Sequence, residues 1–233
     1  MFWVSIVPPA ASPGAEAAFA EGLADCYRAF GVHKAVTVLS EPQRKTVMHV
    51  MVHDDTGGVV GGARIHRAGR GSPLPALRAL TSQPRLRAAL IGDAARTGPP
   101  MELAALWVTR ANKGVRGIGR LVAQASVAAA ACKGATRAVT FSHHTIEPLL
   151  HGIGMRPVAG TEPIAYPSPL YRSTVYEVDP QAPVFAAPAD RAQLSAMEQH
   201  WRRSDAPLEV VSTMQPGHAL PWSVQLPQPA VAA

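Results

Sequence analysis

Apolar residues in this chain recur with two different periods, and the switches between them outline a sheet flanked by helices. Lys45 to Val52 and Val59 to His66 have strand length, and Asp54-Asp-Thr-Gly-Gly58 between them supplies turn residues, which predicts a β-hairpin. Met101 to Val108 is a mostly apolar run that predicts a buried strand. Downstream the spacing becomes helical, with Ile118, Leu121, Val122, Ala125, Ala128, Ala129 and Cys132 on one side. A short strand follows at Thr136 to Phe141, then a helix around Ile146 to Leu150. Tyr171 to Val178 alternates and holds β-branched and aromatic residues, so it reads as the last strand of the sheet. Helices are also expected at Ala15 to Phe30, with Phe19, Leu23, Cys26, Tyr27 and Phe30 on one side, and at Ala76 to Ala89. After Asp179-Pro180 the composition shifts to Pro, Ala and Gln. Pro188 to Arg203 predicts one amphipathic helix with Leu194, Met197 and Trp201 inward, and Pro207 onward reads as irregular.

Between the strand ending at Val108 and the helix starting at Ile118 lies Lys113-Gly-Val-Arg-Gly-Ile-Gly-Arg120, glycines mixed with cations. The first N–H groups of a helix lack internal partners and sit at the positive end of its dipole, so Gly117, Ile118, Gly119 and Arg120 are placed to donate to a phosphorylated ligand. A glycine there lets the ligand approach without meeting a Cβ. Spacing excludes two phosphate loops. Gly114, Gly117 and Gly119 do not give the four-residue gap and Gly-Lys-Ser/Thr of a Walker loop, and no Gly-x-Gly-x-x-Gly occurs. The plainer reading is a basic glycine turn capping an ordinary helix.

The segment Gly114-Val-Arg-Gly-Ile-Gly119 resembles the acyl-CoA-binding turn of the Gcn5-related N-acyltransferases, usually Gln/Arg-x-x-Gly-x-Gly/Ala. Gly114 departs from the usual first residue, and Lys113 and Arg116 offer charge beside it. Gly152-Ile-Gly-Met-Arg-Pro157 is similar to the Leu-Gly-Phe segment of the same superfamily, and the resemblance spans roughly Tyr27 to Val178. It implies an α/β (α+β) fold: a mixed, mostly antiparallel central sheet with flanking helices over residues 1–180, followed by a C-terminal extension at 181–233. Within the superfamily, Val59-Val-Gly-Gly-Ala-Arg-Ile and Met101-Glu-Leu-Ala-Ala-Leu-Trp-Val108, separated by a long insert, resemble the acyl-homoserine-lactone synthases and N-acyl amino acid synthases. Arg64 and Glu102 stand at the matching positions and are the catalytic candidates this resemblance implies, and inserts like Ala68 to Pro100 help enclose an acyl chain in that branch.

The resemblance implies attack of a primary amine on a thioester carbonyl, with acyl-CoA or an acyl carrier protein as co-substrate and no tightly bound cofactor. Glu102 is the candidate base, desolvated by Leu103, Leu106 and Trp107; its plainer role is a strand glutamate paired with Arg64. Backbone N–H groups from Trp107 through Val108 to Thr109 are candidate oxyanion donors. The donor turn is Lys113, Gly114, Val115, Arg116, Gly117, Ile118, Gly119 and Arg120. Leu150 stands where many acetyltransferases carry a tyrosine acid. Since a free thiol has a pKa of about 8.5, a thiolate can depart without one; Ser142, His143 or His144 are possible substitutes. Lactone synthesis, acetyl transfer and a silent acyl-CoA-binding fold remain as alternatives.

Composition bounds this picture. The chain has 233 residues, enough for one domain with a full core. No apolar run reaches membrane-span length, and Met1 to Val7 meets Pro8-Pro9 at once, so a cytoplasmic protein with no integral membrane segment is expected. Cys26 and Cys132 give no disulfide framework or zinc spacing, and no metal is expected. The pair His143-His144 reads first as a solvated turn. Charge sums to +6 and is concentrated: Arg64, Arg67, Arg70, Arg78, Arg85 and Arg87 fall between Asp55 and Asp93 with no acid among them, and a second acid-free cationic stretch runs from Arg110 to Arg137. Phosphates of coenzyme A or an acidic carrier protein suit such a surface. Nucleic acid is disfavoured as a partner, because no helix-turn-helix or RNA-binding aromatic motif accompanies the arginines and aromatics are 6% of the chain.

Overall fold

A computed structural model describes residues 2–9, 13–29, 31, 46–68, 73–92, 98–112, 117–184, 188–204, 206–212 and 222–224. Among them the strands are β1 (Phe2–Val7), β2 (Thr46–His53), β3 (Val59–Arg67), β4 (Met101–Val108), β5 (Ala138–His143), β6 (Arg156–Pro157), β7 (Ile164–Ala165), β8 (Arg172–Val178), β9 (Leu208–Ser212) and β10 (Trp222–Val224). The α-helices are α1 (Pro13–Ala29), α2 (Ala76–Ala79), α3 (Pro84–Ile91), α4 (Ile118–Cys132), α5 (Glu147–Gly152) and α6 (Pro188–Arg203). All the strands join one sheet in the order β10-β9-β1-β2-β3-β4-β5-β8-β6, with β7 also on β8. Every pairing is antiparallel except β4 with β5.

The β2–β3 hairpin forms where the turn chemistry put it. Asp54 Oδ1 accepts from the N–H groups of Thr56 (3.1 Å) and Gly58 (2.9 Å), adding side-chain bonds to the backbone pair Gly57 N–H to Asp54 carbonyl (3.0 Å) and Asp54 N–H to Gly58 carbonyl (2.9 Å). Lys45, at the predicted start of β2, lies outside the described residues, as does Phe30 at the end of the first predicted helix.

Helix α4 is buried along nearly its whole circumference, from Ile118 through Ala131. A helix apolar all round needs cover on both sides. One side lies on the sheet, and the other meets α6, whose Leu194, Met197 and Trp201 belong to the same core as Ile118, Leu121, Val122 and Ala125. The described elements beyond residue 180 therefore fold onto the rest: α6 covers α4, and β9 pairs with β1 through Val4↔Leu208 and Trp3↔Glu209. This corrects the irregular reading of Pro207 onward, since Leu208–Ser212 and Trp222–Val224 are strands.

The helix expected over Ala76 to Ala89 is two short helices. Pro84 has no N–H and its ring excludes the preceding residue from helical geometry, so it begins α3 and ends the earlier turn. The far end of α3 is tied down by Arg137, whose guanidinium donates to the Ala89 and Leu90 carbonyls and pairs with Glu177 at 2.7 Å. Arg67 and Arg87 likewise hold the carbonyls of Lys133 and Leu77. Several cations of the two basic stretches thus serve as structural clamps.

Candidate active site

Strands β4 and β5 run parallel but pair only at Met101↔Ala138 and Glu102↔Val139. Beyond Glu102 they part, and the cause is local to β4. Its register with β3 jumps from Arg64↔Ala104 to Gly62↔Trp107, so Ala105 and Leu106 oppose the single residue Ala63. Such a two-against-one bulge bends its strand and increases the twist. Ala105 sits in it at φ 54°, a conformation that costs a non-glycine residue energy and that accumulates at functional sites.

A cavity of about 500 Å³ occupies the opening. On the α4 and α5 side its wall is Leu103, Ala123, Ser126, Leu150, Ile153 and Met155, all buried. The opposite side presents Glu102, Tyr27, Phe141, Tyr166 and Tyr171, with Arg78 from α2. Apolar surface dominates one end and groups able to exchange or share protons gather at the other.

Glu102 is 3% exposed. Its two carboxyl oxygens accept from the Ala76 N–H at 3.2 and 3.1 Å, at the start of α2. Loss of water raises the carboxyl pKa to about 8 against the smaller opposing effect of the Ala76 bond. Tyr166 is near enough that its phenol is raised by its own burial and by the Glu102 charge, and burial raises Tyr27 further still, with Cys26 and Tyr166 adding to it. The Phe141 and Tyr166 rings meet at 5.3 Å.

The register separates Glu102 from Arg64. Glu102 lies opposite His66, and Arg64 lies opposite Ala104. Arg64, 1% exposed, stacks its guanidinium 4.9 Å from the Phe19 ring centroid, outside the cavity lining. Burial lowers its pKa and Glu16 opposes that shift. The same ring stands 4.7 Å from His49, whose burial and proximity to Arg64 depress its pKa to about 4.

Of the backbone donors expected at Trp107 to Thr109, Trp107 and Val108 line the cavity, while the Thr109 N–H is committed to the Val60 carbonyl at 2.9 Å. Lys113, Gly114, Val115 and Arg116 lie outside the described residues. Gly117 caps α4 at φ 103°, a left-handed conformation suited to glycine. Ile118 points into the core, fully buried, and Arg120 is half-buried in the first turn. A Cβ on Gly119 would meet only Val108 at 3.8 Å and Leu149 at 3.9 Å.

Leu150, in the position read as a missing tyrosine, is buried in the cavity wall. The two candidate histidines have parted. His144 is exposed, its Nδ1 3.3 Å from both the N–H and the carbonyl of Arg172, whereas His143 faces the cavity. Sequence reasoning missed Tyr166, Tyr171 and the Ala76 N–H. No period or motif marks them, because each reaches Glu102 or His143 through loop geometry. Among the described residues, no group of three or more His, Cys, Asp or Glu side chains is arranged to hold a metal ion, and no helix is long and apolar enough to cross a membrane.

This bulged, splayed sheet around a buried helix is the Gcn5-related N-acyltransferase fold. The chain superposes on FeeM, an N-acyl amino acid synthase from uncultured soil microbes, with a TM-score of 0.58 and 10% identity, over 77% of this chain and 90% of that one. It matches TofI in its apo form at 0.52 and 19% identity, over 76% and 90%, and Escherichia coli ElaA at 0.51 and 11% identity, over 76% and 99%. No protein-family model matches the sequence. No curated protein matches it either.

Proposed function

We propose that the chain is an N-acyltransferase that moves an acyl group longer than acetyl from a thioester, acyl-CoA or acyl carrier protein, to a primary amine such as an amino acid. The observation that carries this reading is the cavity through the β4–β5 gap, apolar toward α4 and α5 and holding one buried carboxylate at its apex. In this reading the pantetheine arm enters beside Gly117 to Arg120, the turn from Lys113 to Arg116 meets the pyrophosphate, and the acyl chain lies against Leu103, Ala123, Leu150, Ile153 and Met155. The unpaired edge of β4 around Trp107 and Val108 polarises the carbonyl.

Glu102 is the base. A pKa of about 8 places it close to the working pH, where a general base is most efficient, and an incoming ammonium favours the ionised carboxylate. The amine, once deprotonated, attacks the carbonyl carbon; the carbon–sulfur bond then breaks and its electron pair leaves on sulfur. Arg64 has a supporting part, holding Phe19 and so the packing of α1 above the acceptor side. FeeM, by its name an N-acyl amino acid synthase, favours an amino acid as the first acceptor to try.

The test is mass spectrometry of organic extracts from a bacterial host expressing the native chain or Glu102→Gln. New N-acyl amides from the native chain alone support the reading and identify both substrates. Extracts identical to the empty-vector control count against long-chain transfer.

A further inference from the structure

An acyl transfer at this site must let sulfur depart, and the wall position that supplies a tyrosine acid elsewhere is here the buried Leu150. The opposite wall of the same gap ends in His143, the last residue of β5. Its Nδ1 is hydrogen-bonded to the Thr145 hydroxyl, and its ring rests on Tyr171 with centroids 4.9 Å apart. All three residues line the cavity. One nitrogen is thus held and the ring's tilt is set, leaving Nε2 to meet a ligand.

We propose that His143 is a catalytic residue that acts as a neutral hydrogen-bond donor: the Thr145 hydroxyl donates to Nδ1, which fixes the proton on Nε2, and Nε2–H stabilises the charge growing on the departing sulfur. The inference rests on the acyl-transfer reading above. The imidazole keeps its proton throughout. The amine loses one proton to Glu102, the tetrahedral adduct expels sulfur with the bonding pair, and the second amine proton ends on the thiolate or in solvent. Donation from a neutral ring fits the surroundings, since burial, and then His144, lower the His143 pKa from its ordinary 6.5. The titratable groups around it are Tyr171 from the turn before β8 and His144 beside it, the latter hydrogen-bonded to the Arg172 backbone.

Distance along the strand permits the role. His143 stands four residues beyond Val139, the partner of Glu102, a rise of about 13 Å. The Glu102 side chain, a bridging water, the amine, the carbonyl carbon and its sulfur, and the imidazole together span that length.

The experiment compares the native chain with His143→Ala, His143→Gln and Thr145→Val, following thiol release from decanoyl-CoA with a set of amino acids and simple primary amines. His143→Ala should lower kcat about 10- to 100-fold with KM for decanoyl-CoA changed less than about two-fold, and His143→Gln, whose amide N–H reaches similarly, should recover much of the loss. A second readout uses ¹⁵N-histidine NMR. The His143 signals should report the Nε2–H tautomer, Thr145→Val should mix the tautomers, and the unreactive thioether S-decyl-CoA should shift Nε2. A native kcat that falls with rising pH, with that fall absent in His143→Ala, would mean proton transfer in place of donation and overturn the proposal. So would an unshifted Nε2, or an Ala variant as fast as the native chain. If the native chain releases thiol with none of the amines, the acyl-transfer reading fails and takes this inference with it.

Discussion

Replacing Glu102 with Gln should make the protein more stable at high pH and leave it nearly unchanged at low pH. The side chains are isosteric, and a Gln oxygen can still accept from the Ala76 N–H, so the difference isolates ionisation. In the folded state the carboxyl holds its proton to about 8, whereas an unfolded chain releases it near 4.5. Between those values the folded state binds the extra proton, so stability falls as pH rises through this window. One proton corresponds to about 1.4 kcal/mol per pH unit, and integration from about pH 5 to just above pH 8 gives a penalty of roughly 4 kcal/mol. His49 acts with the opposite sign, gaining stability as pH rises from its depressed value of about 4 toward 6.5, but it is common to both proteins and cancels in the difference. Urea unfolding of native and variant at pH 5, 7 and 8.5 reads the effect. The variant should lead by an amount that grows with pH to roughly 4 kcal/mol. A constant gap would refute the argument, because it would mean Glu102 titrates alike in both states. Activity follows the other direction: kcat/KM should climb as pH rises through about 8, where the carboxylate forms and the fold weakens.

Gly119→Ala should keep or slightly raise Tm, because its Cβ meets only ordinary contacts and alanine is the better helix former, while weakening coenzyme A binding in calorimetry by crowding the first turn of α4; Gly117→Ala, at φ 103°, should cost both binding and about 1 kcal/mol of stability. Ala123→Val should shift the preferred acyl-CoA toward shorter chains, each excluded methylene weighing about 0.8 kcal/mol, read from thiol release across a chain-length series. In Gly22→Ala the new Cβ would fall 2.2 Å from the Trp107 ring, so thermal unfolding should show a loss of about 1–3 kcal/mol despite alanine's better helix propensity.

The elements whose periodicity was unbroken were legible in the sequence. Met101–Val108 and Ile118–Cys132 have the bounds that the apolar pattern gives, and Glu102 is as desolvated as Leu103, Leu106 and Trp107 suggested. Pro84 was equally visible, yet the apolar spacing on both sides of it hides the break between α2 and α3. Other features depend on partners far along the chain. Leu208–Ser212 is a strand because Phe2–Val4 offers it an edge, and Arg137 is a clamp because α3 ends beside it. The bulge that opens the site falls on Ala105, a residue with no preference for positive φ, so tertiary packing imposes it. Tyr166 comes close to Glu102 from the turn before β8, and Tyr27 from α1 lines the same cavity, a convergence that no local spacing encodes.

The central claim is that the β4–β5 opening takes an acyl thioester and Glu102 readies an amine to attack it. Its most direct test incubates purified protein with decanoyl-CoA and a mixture of amino acids and simple amines, and follows free thiol and N-decanoyl product together by mass spectrometry. The account predicts amine-dependent thiol release with matching N-decanoyl amide, lost in Glu102→Gln while calorimetry still registers decanoyl-CoA binding. Absence of both product and binding in the native chain would contradict it.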